Sequence, residues 1–194
     1  MTAAVMTSTR RPAVPNAVLA TALLIVAEVM LFGGLASAYL VLRSQAGEWP
    51  PAGQPRLPVL ATAFNTALLV LSGITAWRAV AAARDGRRRI TTRLLGATFA
   101  LGAAFFLLQG LEWARLLREG LTSSSSLYGS LFYTIIGCHG LHVAGGLVAL
   151  VCVGIRTRND GWNAHALDAL AATRIFWIFV VAAWPPLYVL VYLW

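Results

Sequence analysis

Four side chains in this sequence carry chemistry that an apolar setting makes costly: Glu28, Glu112, His139 and His142. Glu28 stands in the middle of an apolar run from Asn16 to Leu42. A carboxylate at the centre of a bilayer costs about 2.5–3.5 kcal/mol on insertion scales, so it is either paired or used. Two readings compete. In one it is a neutral acid hydrogen-bonded to a hydroxyl or a histidine across a helix interface. In the other it handles protons or contacts a partner subunit. Glu112 follows Gln109 by three residues and shares its helix face. It lies close enough to a span end to reach the headgroups, so anchoring beside Trp113 competes with function.

The densest chemistry is Gly137-Cys138-His139-Gly140-Leu141-His142-Val143. Helical spacing makes His142 a neighbour of both His139 and Cys138. Imidazole and thiolate ligate copper, zinc or haem iron. A metal site normally needs three or four ligands, however, and the only other histidine, His165, is expected in a loop far from this depth. The favoured expectation is therefore a histidine–glutamate pair between the fourth span and the first or third, with no metal bound by the chain.

The elements that position these groups are read from composition. Of 194 residues, 59% are hydrophobic and 11% charged, far below the roughly 25% charged residues of soluble domains. The expected fold is all-α: one membrane domain, residues 1–194, with five spans near 17–42, 59–80, 94–115, 128–155 and 173–194. All basic residues are arginines. Arg10, Arg11, Arg78, Arg84, Arg87, Arg88, Arg89, Arg93, Arg156, Arg158 and Arg174 fall on one side; Arg43, Arg56, Arg115 and Arg118 fall on the other. That asymmetry predicts the N-terminus inside and the C-terminus outside, and it reads as topology rather than nucleic-acid binding. The first span could instead be a signal peptide, but its apolar run is too long and Glu28 interrupts it. Residues 2–15 are expected to form a polar lead, and 45–58, with four prolines, an irregular external turn. Trp49, Trp113, Trp162, Trp194 and Tyr128 fall near span ends, as interfacial aromatics do. Cys138 and Cys152 lie about 21 Å apart along one helix and cannot form a disulfide. There is no phosphate-binding loop and no nucleophile–base–acid set.

Five stretches together resemble subunit III of haem-copper terminal oxidases in its short, five-helix form. They are Glu28-Val29-Met30-Leu31-Phe32 with Tyr39; Phe64-Asn65-Thr66 with Ser72-Gly73; Gln109-Gly110-Leu111-Glu112-Trp113; Tyr128-Gly129-Ser130-Leu131-Phe132-Tyr133; and His139-Gly140-Leu141-His142-Val143 with Gly146. The resemblance implies a non-redox subunit of a bacterial inner-membrane oxidase, with the cytochrome c type favoured over the quinol type and donor binding left to other subunits. Haem and copper are then held by partner subunits I and II. This chain contributes packing against subunit I, phospholipid binding and support of proton uptake. It has no catalytic, cofactor-binding or metal residue of its own. Glu28 matches the family's buried, carbodiimide-reactive carboxylate, Glu112 the carboxylate of the third helix, and His139 and His142 its paired histidines. Glu28, Phe32, Gly33, Gly34, Trp49 and Gly146 are expected at a lipid or subunit interface. One departure stands out: the family's usual Trp-His-Phe-Val-Asp is here Trp177-Ile178-Phe179-Val180-Val181, followed by Pro185-Pro186, which should disturb the helix. The rival readings are a subunit III-like protein associated with nitric oxide reductase and a small proton-coupled transporter.

Overall fold

The computed structural model describes residues 14–159 and 161–194. Nearly all of the expected polar lead, with Arg10 and Arg11, lies outside them. Among the described residues five helices are long and apolar enough to cross a membrane: α1 (Asn16–Ser44), α2 (Val59–Arg84), α3 (Arg88–Arg118), α4 (Leu127–Asn159) and α5 (Ala164–Tyr188). A π turn at Val189–Leu193 extends α5.

The helices outrun the expected spans because hydropathy marks the hydrocarbon, whereas helical hydrogen bonding continues until something stops it. After α2 the stop is Gly86, at φ 71°. There the Gly86 amide donates to Ala83 O and the Arg87 amide to Ala82 O, at 3.1 and 2.9 Å. Gly120, at φ 92°, closes α3 in the same way through Leu117 O and Leu116 O. This paired pattern needs a left-handed residue, which glycine supplies at least cost. The start of α5 moves furthest, from 173 to Ala164, because the Asn163 side chain caps it by accepting the Ala166 amide at 2.8 Å. His165 is therefore an exposed residue of the first turn of α5, not of a loop. It remains roughly 25 Å along the bundle from His142.

The prolines of α5 do not end it. Neither Pro185 nor Pro186 can donate, so Val181 and Ala182 lose their helical partners. The helix runs on, and the Val189 amide meets both Pro185 O and Pro186 O before the register widens into the π turn.

Helix packing centres on Trp177, which is fully buried. Its indole NH donates to Ser72 Oγ of α2 at 3.1 Å. A β-carbon on Gly102 of α3 or Gly146 of α4 would stand 2.6 or 2.5 Å from its ring. Without a hydrophobic force between helices in lipid, such close approach by small residues supplies the attraction. Helix α1 contributes least to the core: only Phe32 and Tyr39 are buried, and Met30 and Val29 are exposed.

Three of the span-end aromatics turn inward: Tyr128 is buried, and Trp49 and Trp113 pack against the core. Trp49 of the α1–α2 connection stands edge-on between Tyr39 and Tyr128, at 5.5 and 5.2 Å, and donates to the Tyr39 hydroxyl at 3.1 Å. Trp113 lies against Gly140 of α4. Trp194 stays exposed, with the Arg43 guanidinium 5.6 Å over its ring. Cys138 and Cys152 are both free thiols.

Candidate functional site

Helices α1 and α4 bring the first pair together. His142 Nε2 lies 2.8 Å from Glu28 Oε2, with each side chain largely but not wholly covered. The separation is that of an ion pair without the direction of a well-formed hydrogen bond, and Glu28 Oε2 has no other partner among the described residues. His142 Nδ1 lies 2.7 Å from Cys138 O, one turn back on α4. A carbonyl only accepts, so Nδ1 must donate. That leaves Nε2 facing a carboxyl oxygen, and two lone pairs at this distance would repel. One proton therefore sits between Glu28 and His142, on one or the other. Phe32, one turn after Glu28, meets the His142 ring edge-on at 5.2 Å, and Phe176 of α5 lies parallel to it at 6.3 Å.

The thiol of Cys138 does not turn this pair into a nucleophilic triad. Its sulfur is 4.0 Å from His142 Nδ1, and that nitrogen already gives its proton to the backbone. It offers no lone pair to take a proton from sulfur.

His139 faces the other way. It is fully buried, and its Nε2 donates to Val180 O of α5 at 3.1 Å. Trp184 lies 4.7 Å from its ring centre and Phe105 6.0 Å. With Gln109, Trp113 and Gly140 it lines a small, partly enclosed space of about 30 Å³, room for a water or two and too small for a transported solute. Val180 precedes the carbonyls freed by the prolines, so His139 braces α5 next to its weakest stretch.

Glu112 is not paired with a histidine, nor is it a headgroup anchor. Tyr192, from the π turn, donates to its Oε1 at 2.7 Å. Thr62 of α2 approaches its Oε2 at 2.9 Å, sharing one hydroxyl proton between that oxygen and Pro58 O. Gln109 donates to the Tyr192 oxygen at 3.0 Å, and Asn65 donates to Gln109 Oε1 and Phe105 O, each at 3.2 Å. A polar seam thus joins α2, α3 and the end of α5 inside the bundle. Thr62 and Tyr192 were not singled out from sequence, and Asn65 entered only as part of a family-like stretch. The signal for Thr62 and Asn65 was there, since they and Thr66 share one face of α2 and Gln109 and Glu112 one face of α3. Tyr192 carried none, because its placement depends on the π turn.

The interface candidates divide. Gly33 and Gly34 remain on the outer side of α1, where a β-carbon at either would meet nothing within 4 Å, while Glu28 is turned toward α4 and mostly covered. Phe32, Gly146 and Trp49 are corrected to interior roles: Phe32 packs against the histidines, Gly146 against Trp177, and Trp49 between Tyr39 and Tyr128.

Among the described residues no three His, Cys, Asp or Glu side chains lie close enough to hold a metal ion, and three of the four nitrogens of His139 and His142 are committed. The donor set does not fit haem iron or copper.

The family model described as cytochrome c oxidase subunit III matches residues 4–194. This chain belongs to that family. A probable cytochrome c oxidase subunit 3 of Nocardia farcinica is 39% identical over 92% of this chain and 88% of its own length. The cytochrome c oxidase subunit 3 of Synechocystis is 36% identical over 88% of this chain and 72% of its own. A probable subunit 3 of Mycobacterium leprae is 34% identical, covering 92% and 88%. The chain is thus a multi-pass membrane subunit III of a haem-copper oxidase. Within this subunit III, Ile178 and Val181, the positions at which the resemblance led to an expected histidine and aspartate, line a groove between α2 and α5.

Proposed function

We propose that this subunit III is a non-redox accessory subunit of a bacterial inner-membrane oxygen reductase that takes electrons from cytochrome c. It packs against subunit I beside subunit II, which hold the haem and copper, and it supports proton uptake and binds phospholipid. The Glu28–His142 pair carries this reading. It is a complete two-group unit in one chain, it holds a single proton, and it borders the outer side of α1 where lipid or a neighbouring subunit would meet it. The names of the relatives support the cytochrome c oxidase assignment. The committed imidazole nitrogens support a role without metal.

The test is made in the assembled complex. The tagged chain, solubilised in mild detergent, should bring down haem absorbance. Complexes carrying Glu28→Ala should show the wild-type haem spectrum but lose oxygen-consuming activity faster during turnover. A preparation that is intact and active but free of haem, or a Glu28→Ala complex with unchanged proton uptake and turnover lifetime, would overturn the proposal.

A further inference from the structure

Two polar atoms inside the bundle lack the partners that burial calls for, and both belong to residues lining one small space. The first is the indole nitrogen of Trp113, which is shut off from solvent and meets no acceptor among the described residues. Buried donors in native structures are almost always bonded to protein or to ordered water. The second is Nδ1 of His139. That ring is fully buried, and its Nε2, 3.1 Å from Val180 O, must carry a proton because a carbonyl only accepts. No described carboxylate lies within ion-pair distance of His139, and a buried ring without a counter-charge is neutral. Its Nδ1 therefore keeps a lone pair, and it has no hydrogen-bond donor among the described residues.

Trp113 and His139 line the same space of about 30 Å³ between α3 and α4. Gly140 sets one wall: a β-carbon there would stand 2.8 Å from Trp113 Cη2. Glycine thus lets the indole lie against the α4 backbone one residue from His139. On the other side stand Trp184, 4.7 Å from the His139 ring centre, and Phe105, edge-on at 6.0 Å.

Gln109 brings a third polar group to this space. Its Nε2 donates to Tyr192 at 3.0 Å, and its Oε1 accepts from Asn65 at 3.2 Å. A carboxamide has two N–H groups and two lone pairs, so one of each is still open.

The volume suits about one or two waters, and a buried water is retained where it finds roughly two to four polar partners. The groups around this space are a donor needing an acceptor, an acceptor needing a donor, and an amide open to either. One small molecule that both donates and accepts answers all three. A hydrocarbon end or a dissolved gas would leave the indole and the imidazole unpaired.

We propose that an ordered water sits between Trp113 and His139, accepting from indole Nε1 and donating to imidazole Nδ1, with Gln109 as its third partner. It joins the polar seam of Glu112, Tyr192, Gln109 and Asn65 to His139, and through Val180 O to α5 beside its prolines. One hydrogen-bonded line then crosses from α2 to α5. The site rests neither on the Glu28–His142 pair nor on the identity of a partner subunit, so its failure leaves the proposed function standing, and the reverse.

The test has two readings. In the assembled complex, electron cryomicroscopy at a resolution that shows other buried waters should place a peak about 2.7–3.2 Å from both nitrogens. In the full-length chain in detergent micelles, with isotope-labelled tryptophan, the Trp113 indole proton should give a nuclear Overhauser cross-peak to water. Trp177, whose indole is bonded to Ser72, should give none. Trp113→Phe identifies the signal by its loss, and His139→Leu, which removes the acceptor, should reduce the cross-peak to the level of Trp177. The proposal is overturned by a map with no peak at this place, by one showing hydrocarbon or a partner's side chain there, or by a direct bond from Trp113 Nε1 to a protein group. A cross-peak unchanged in His139→Leu would also overturn it. The wild-type map decides the matter even if a variant fails to fold.

Discussion

Replacing Glu28 by glutamine keeps a hydrogen atom between positions 28 and 142, because the amide can donate to His142 Nε2 as the shared proton does. The 2.8 Å contact and the commitment of Nδ1 to Cys138 O together set an order of damage among three variants. Glu28→Gln should cost less than about 1 kcal/mol, since the amide keeps the acid's size and can still donate to His142 Nε2. Glu28→Ala leaves Nε2 facing an apolar gap beside Phe32, at a cost of about 1–3 kcal/mol. His142→Ala leaves the acid at position 28 without its only partner at membrane depth, at about 2.5–3.5 kcal/mol. Unfolding of the reconstituted chain in mixed detergent, followed by circular dichroism, measures all three. Activity need not follow this order: if the pair moves its proton, Glu28→Gln should slow proton uptake while stability is kept. The reasoning is refuted if glutamine proves as damaging as alanine, or if all three variants unfold like the wild type.

Gly146→Ala should destabilise by about 1–3 kcal/mol through overpacking against Trp177, while Gly33→Ala on the open side of α1 should stay within about 0.5 kcal/mol, both read in the same assay. Tyr192→Phe removes the donor to Glu112 and the acceptor of Gln109, and should lower stability by about 1–3 kcal/mol. Asn163→Ala should cost about 0.5–2 kcal/mol locally and speed amide exchange over residues 164–166 while leaving α4 unaffected, measured by hydrogen–deuterium exchange.

The number of spans was legible because long apolar runs have few alternatives. That a histidine of the fourth span would meet a carboxylate was legible in kind, but the expectation left the acid of the first span and that of the third both open, and it is Glu28 that takes the place. Which histidine it would be was not legible, because His139 and His142 are less than one turn apart and only the placement of α1 and α5 around α4 separates them. Glu112 was misjudged for a related reason. Distance from a span end looks like access to water, but Tyr192 and Thr62 reach it from other helices. The start of α5 was missed because a capping asparagine, rather than hydropathy, decides where that helix begins.

The central place of Trp177 bears on how the protein is made. Its ring touches glycines of α3 and α4 and a serine of α2, yet it belongs to the fifth helix to enter the membrane. The first four helices can insert, and α2 and α3 can bond directly, but the contact that ties α2, α3 and α4 to one side chain waits for α5. A stage with four helices inserted would therefore hold α2 and α3 together through Asn65, Gln109, Thr75 and Thr98 but leave the acid of α1 without the cover that α5 completes. A chaperone or early partner subunit would find its substrate at that stage, and slowed synthesis of α5 would prolong it.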